Sequence, residues 1–110
     1  MPATAAVGEF EVLVLMAVLH ADEQAYGSVV REEIERRSGR AVARGAVYIT
    51  LERLEEKGLL ASIAGDTTPE RGGRPRRLFR VTPLGLRSLK QALSTLTRMH
   101  KGLEPLLGKL

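Results

Sequence analysis

Five arginines, Arg71, Arg74, Arg76, Arg77 and Arg80, fall within ten consecutive residues, and no acid interrupts them. Guanidinium groups at this density suit charge-assisted, often paired, hydrogen bonds to the oxygens of a polyanion. Gly72-Gly73 and Pro75 punctuate the stretch as a turn. The arginines are therefore expected on a protruding hairpin, from which they can follow a phosphate backbone. The net charge of +4 conceals this concentration. Residues 1–70 hold 7 basic and 12 acidic residues, whereas residues 71–101 hold 9 basic and none acidic. A solvated loop without a partner would also be charged, but it would have no need of arginine over lysine, which lacks the planar fork.

Other chemistries find little support. The two histidines, His20 and His100, lie far apart in sequence. No carboxylate–histidine cluster, nucleophile elbow, phosphate loop or metal-ligand spacing appears, and Gly72-Gly73 lacks the strand-to-helix setting of a nucleotide loop. Neither an enzyme nor a cofactor or metal is expected. There is no cysteine, which excludes a disulfide framework and thiolate sites and suits a cytoplasmic protein. The apolar run Val12–Leu19 follows Glu9 and Glu11. Eight residues cannot cross a bilayer, and a signal peptide would carry Lys or Arg there, so no membrane partner is expected.

With 110 residues, 44% of them apolar, the chain is long enough for one core and an accessory helix. The fold class expected is mainly α with a small β-hairpin. Gly8–His20 reads as a first helix, apolar nearly all round. Such a helix must be covered on more than one side, and the second cover could be another subunit. Phe10, Leu15 and Leu93 together look like too much apolar surface for one chain to hide. Tyr26–Arg37 forms a second helix with Tyr26, Val29, Val30 and Ile34 inward and Arg31, Glu32, Glu33, Glu35 and Arg36 toward water. Gly39 suits the left-handed residue that closes it.

A third helix runs from about Arg44 to Lys57, closed by Gly58. Val47, Leu51 and Leu54 recur at helical spacing and form its core face. Its exposed surface is uneven: Arg44, Gly45, Tyr48, Ile49 and Thr50 lie in the first turns, whereas Glu52, Glu55 and Glu56 lie in the later ones. Phosphates would be repelled by the second set and attracted to the positive dipole end that the first set surrounds. Ile49 could meet a thymine methyl. Tyr48 is balanced between a phosphate contact and a half-buried place at the core edge.

Leu60–Ala64 and Leu78–Val81 read as the strands of the hairpin, with Ile63, Phe79 and Val81 inward and residues 65–77 as the wing. Thr82-Pro83 then caps a last helix trusted to about Lys101. Along it Leu86, Leu89, Leu93, Leu96, His100, Leu103, Leu107 and Leu110 alternate spacings of three and four, a heptad seam that favours a partner helix over packing on its own domain. Gly102 and Pro105 interrupt its final part. A helix followed by a basic hairpin is the layout of a winged helix-turn-helix, here residues 8–82, with residues 83–110 as a C-terminal dimerisation helix.

The run Gly45-Ala46-Val47-Tyr48-Ile49-Thr50-Leu51-Glu52-Arg53-Leu54-Glu55-Glu56-Lys57-Gly58-Leu59, followed by Gly72-Gly73-Arg74-Pro75-Arg76-Arg77-Leu78-Phe79-Arg80-Val81-Thr82-Pro83-Leu84-Gly85, resembles the PadR family of bacterial transcriptional regulators. Ala25-Tyr26-Gly27 at the start of the second helix resembles it too. The likeness covers residues 8 to about 95. It implies a dimeric repressor whose first and last helices build the dimer, through Phe10, Leu13, Leu86, Leu89, Leu93 and Leu96. It also implies double-stranded DNA as partner, with the family's recognition tyrosine on Tyr48, its second-helix tyrosine on Tyr26 and its wing arginines on Arg74, Arg76 and Arg77. With Arg44, Ile49 and Thr50 from the third helix, these make the expected DNA-contacting set. Ile49 stands where a proline is common, and Leu78-Phe79 replace a frequent tyrosine pair. A small-molecule effector is left open; aromatics at 4% and no tryptophan speak against a stacking pocket. The competing reading is a winged-helix interaction or ligand-sensing dimer that does not read DNA, which would have no need of both a basic wing and an acid-free first turn on the third helix.

Overall fold

The structure, a computed structural model, describes residues 4–67 and 75–109. In chain order these form α1 (Glu9–Ala21), a short 3-10 turn (Asp22–Gln24), α2 (Gly27–Ser38), α3 (Arg44–Glu56), β1 (Leu60–Thr67), β2 (Pro75–Val81), α4 (Pro83–His100) and α5 (Glu104–Leu107). Helices dominate, and the strands make one antiparallel hairpin, as the sequence predicts.

The apolar run of α1 is the centre of the core. Val12, Val14, Leu15, Ala17 and Val18 are buried because α2, α3, β2 and α4 all pack on this one helix. The expectation that Leu15 needs a second subunit is therefore corrected: it is fully buried within its own chain. What α1 leaves uncovered is narrower. Phe10, Leu13 and Met16 are half-buried, and Leu19 is exposed.

Val30 and Ile34 seat α2 on α1, and Gly39 ends it at φ 73°. Glu33, read from the sequence as facing water, is instead buried. Its carboxylate accepts from Arg37 Nε at 3.2 Å and also from Arg36. Two guanidinium groups make that burial tolerable, since an unpaired buried charge costs several kcal/mol, on the order of 3–5. In α3 the predicted core face holds, with Val47, Leu51 and Leu54 all fully buried. Gly58 follows at φ 77°.

The hairpin is longer than the sequence suggests. Leu60 pairs with Val81, Ser62 with Phe79, Ala64 with Arg77 and Thr67 with Pro75, with a register shift between Ala64 and Thr67. Successive strand residues alternate faces. Leu60 is buried, so Ser62 rather than Ile63 shares the inward face with Phe79. Ile63 is accordingly outward and exposed, contrary to expectation. On its other edge β2 meets the chain before α2: Phe79 N–H donates to the Ala25 carbonyl at 3.0 Å, and Tyr26 bridges Leu78. This third contact locks the hairpin to the start of α2.

Thr82 caps α4 as predicted, its Oγ1 accepting from Gly85 N–H at 3.0 Å and donating to the Gly58 carbonyl at 2.6 Å. Ser88 and Leu89 are buried, and Ser88 Oγ accepts from Ala5 N–H at 3.0 Å. Beyond them Ala92 still packs on the core while most of the later residues of α4 are exposed, and the longest dimension is 54 Å. The chain then turns at Lys101-Gly102 into α5, so the leucine seam does not continue on one helix past His100. His100 Nε2 donates to the Gly108 carbonyl at 2.7 Å, tying the turn back on the helix.

Candidate nucleic-acid interface

The start of α3 is built open. Ala43 occupies the N-cap without a side-chain bond, leaving first-turn amides free, and the residues around it are Arg44, Gly45, Ala46 and Ile49, all exposed. An uncapped helix N-terminus carries partial positive charge, which Arg44 reinforces. Ile49 is 52% exposed, an apolar side chain presented to solvent beside those amides. Thr50 departs from expectation. It lies three residues after Val47 and four before Leu54, on the inward stripe, and is buried.

Tyr48 and Tyr26 shape the cleft next to this helix start. A Cβ on Gly27 would lie 2.5 Å from the Tyr48 ring. Only glycine lets the ring rest across the first turn of α2, where Tyr48 sits half-buried. The Arg44 guanidinium stands 5.5 Å from the Tyr48 ring centre, and that of Arg76 stands 4.1 Å from the Tyr26 ring centre. Both are within reach of cation–π attraction. Arg76 Nε is buried and without a hydrogen-bond partner. The cleft, about 510 Å³, is bounded by these four side chains together with Ser28, Glu52, Glu55, Arg77 and Phe79. The structure thus brings Tyr26, Arg44, Tyr48 and Arg76 together around one cleft, and Ile49 is exposed on the same helix as Arg44.

Arg77 also borders the cleft but is held differently. Its Nη2 lies 2.9 Å from both Glu55 carboxylate oxygens, and its Nε donates to Ser62 Oγ at 3.1 Å. This is an internal tie between hairpin and α3 that sequence reasoning missed. Glu55 and Arg77 are 22 residues apart, and no local spacing joins them. The packing of Tyr48 on Gly27 was likewise missed, although Ala25-Tyr26-Gly27 was the local signal for it. Arg74 lies outside the described residues.

The expected dimerisation residues divide. Leu86, Leu93 and Leu96 are exposed, whereas Leu89 is buried against its own core. A groove of about 710 Å³ runs between residues 4–7, α1 and α4, with Leu13, Met16, Ala92 and Leu96 on its walls. Among the described residues no cluster of metal ligands occurs and no helix is long and apolar enough to cross a membrane.

A three-helix core whose third helix presents its open end beside a basic hairpin defines a winged helix-turn-helix protein. Comparison with known proteins carries this further: residues 15–91 match the transcriptional regulator PadR-like family, and the chain belongs to it. It is 38% identical over 90 residues to Transcriptional regulator Rv3488 of Mycobacterium tuberculosis, spanning 77% of this chain and 79% of that protein. Among solved structures it is similar to a PadR family transcriptional regulator from Eggerthella lenta, with 28% identity, a TM-score of 0.68 and coverage of 93% and 88% of the two chains. A PadR family transcription regulator from Clostridium difficile shares the fold at 22% identity, with a TM-score of 0.71 over 92% of this chain and all of that one.

Proposed function

We propose that this chain is a dimeric, sequence-specific DNA-binding repressor of the cytoplasm, not an enzyme, that reads an inverted-repeat operator in double-stranded DNA. The observation that carries the reading is the shared surface formed by the uncapped start of α3 and the cleft that holds Arg44 and Arg76. In this reading α3 enters the major groove by its N-terminal end, where Ile49 meets base edges, as in helix-turn-helix docking generally. Arg44, Arg76 and Arg74 neutralise phosphates, and Tyr26 and Tyr48 hold two of those guanidinium groups in place. Glu56 lies in the last turn of the helix, whereas Glu52 lines the cleft beside Arg44 and Arg76.

Dimerisation would use residues 83–110 together with α1. Leu13, Met16, Ala92 and Leu96 line the groove between α1 and α4, Phe10 is half-buried, and Leu86 and Leu93 are exposed elsewhere on α4, so a partner subunit covering these faces would bury an apolar surface that stable monomers avoid. Two-fold symmetry then puts half-sites about one helical turn apart.

Electrophoretic titration of duplex DNA at several salt concentrations tests this. Wild-type affinity is expected to fall steeply with salt, and Arg74→Ala with Arg76→Ala to reduce the magnitude of the slope by about one unit per lost phosphate contact. Unchanged affinity and slope in the double variant would remove the wing from the contact surface.

A further inference from the structure

Adjacent arginines on β2 are held by different partners. Arg76 lies over Tyr26 and the cleft, whereas Arg77 closes a polar triangle with Glu55 on α3 and Ser62 on β1. The triangle is chemically complete. The Ser62 hydroxyl has one proton, which it donates to Glu55 Oε2 at 2.5 Å, and its oxygen accepts from Arg77 Nε at 3.1 Å. Arg77 Nη2 lies 2.9 Å from each oxygen of the same carboxylate. Each of the three side chains comes from a different element, so the triangle joins the helix to both strands at once.

Its position in the hairpin gives it a task. The Ala64–Arg77 pair is the last regular one before the register shift. Toward the body of the domain Leu60 and Phe79 are buried, but further out Ile63 is 65% exposed. A two-stranded ribbon has little stability of its own, so apolar packing does not fix the angle at which the outer hairpin leaves α3. We infer that Glu55, Ser62 and Arg77 form a latch that sets the wing against α3, which makes Glu55 and Arg77 positioning residues rather than partners of DNA. The inference rests on the DNA-reading function proposed above. It reassigns Arg77, whose charge Glu55 already neutralises, and it gives an acid in the later turns of the reading helix a constructive role.

The sign of one effect separates this from simple electrostatics. An acid near a DNA-binding surface weakens binding by repulsion, so removing Glu55 should tighten it. The latch requires the reverse. Glu55→Ala is expected to weaken duplex DNA binding about three- to fivefold, the size of an exposed charge pair, with Glu55→Gln, which retains an acceptor, in between. Arg77→Ala is expected to weaken binding without changing the salt slope, and the double variant to be no worse than either single one. Amide hydrogen exchange in the DNA-free protein supplies an independent readout. Exchange at Ile63 and Leu78 should quicken in both single variants, with the helical core unchanged. Tighter binding by Glu55→Ala, a slope reduced by about one unit in Arg77→Ala, or additive losses in the double variant would overturn the latch. Absence of DNA binding by the wild-type protein would remove the proposed function instead, and unaltered exchange in the single variants would then overturn the latch on its own.

Discussion

The two ends of α3, acid-free at the start and rich in glutamate toward the end, are put to different uses. At its start Arg44 and Ile49 are exposed and the first-turn amides have no cap. At its end two charged side chains, Glu55 and the C-cap Lys57, are bonded to other elements. Glu55 holds Ser62 and Arg77, and Lys57 Nζ reaches the Ala6 carbonyl at 2.9 Å and both oxygens of Glu11 at 3.1 Å. One end is open and the other is anchored to the hairpin and to the start of α1. A helix held in this way can offer one end to a ligand without losing its orientation, because conformational freedom is removed away from the contact surface rather than in it.

The largest effect expected from this asymmetry is on stability. Leu54→Ala, in the fully buried anchored half, should cost about 2–5 kcal/mol, whereas Ile49→Ala should stay within about 0.5 kcal/mol and alter DNA sequence preference instead. Denaturant unfolding beside a binding titration checks both, and comparable stability losses would erase the distinction. Next comes the seat of Tyr48. Gly27→Ala forces a Cβ into the ring and should destabilise by about 1–3 kcal/mol, but cost little in a Tyr48→Ala background. Equal costs in both backgrounds would mean that the ring does not set the requirement.

The smallest effect concerns the anchor at α1. Burial alone would raise the Glu11 pKa, but the Gly8 amide, the Lys57 ammonium and Arg53 outweigh it and hold the carboxyl below its ordinary 4.5. A lowered folded-state pKa contributes stability above the unfolded value, and that contribution is lost as pH falls through the folded one. Glu11→Gln should therefore be less stable than wild type at pH 7, by under about 1 kcal/mol for a pair partly screened by solvent. The gap should close as acid takes pH below the folded-state value. A gap that persists unchanged in acid would disconnect Glu11 from the anchor.

Local periodicity made much of this legible. The stripe Val47, Leu51 and Leu54, the Thr82 cap and the left-handed Gly39 each follow from neighbours within a turn, and the arginine cluster announced the wing. What stayed hidden depends on pairing at long range. Ile63 and Ser62 exchange roles because Leu60 fixes the strand's face. Leu15 needs no partner subunit because four elements of its own chain converge on α1. Glu33 is the local exception: Arg36 and Arg37, three and four residues on, pair with its buried carboxylate. Thr50 is the instructive error. Its polarity suggested the surface, while its spacing from Val47 and Leu54 placed it inside. Arg77 looked equivalent to Arg76, and only the strand's alternation and the distant Glu55 separate them.

Amide chemical-shift mapping with a short duplex tests the central claim most directly, because it reports on both ends of α3 at once. Perturbations are expected at Arg44, Gly45 and Ile49 and at Arg76 across the cleft, growing as salt is lowered, with Glu55, Glu56 and Lys57 nearly unmoved. Perturbations concentrated on Glu55–Lys57, with the start of α3 silent, would contradict the assignment of the open end as the one that reads DNA.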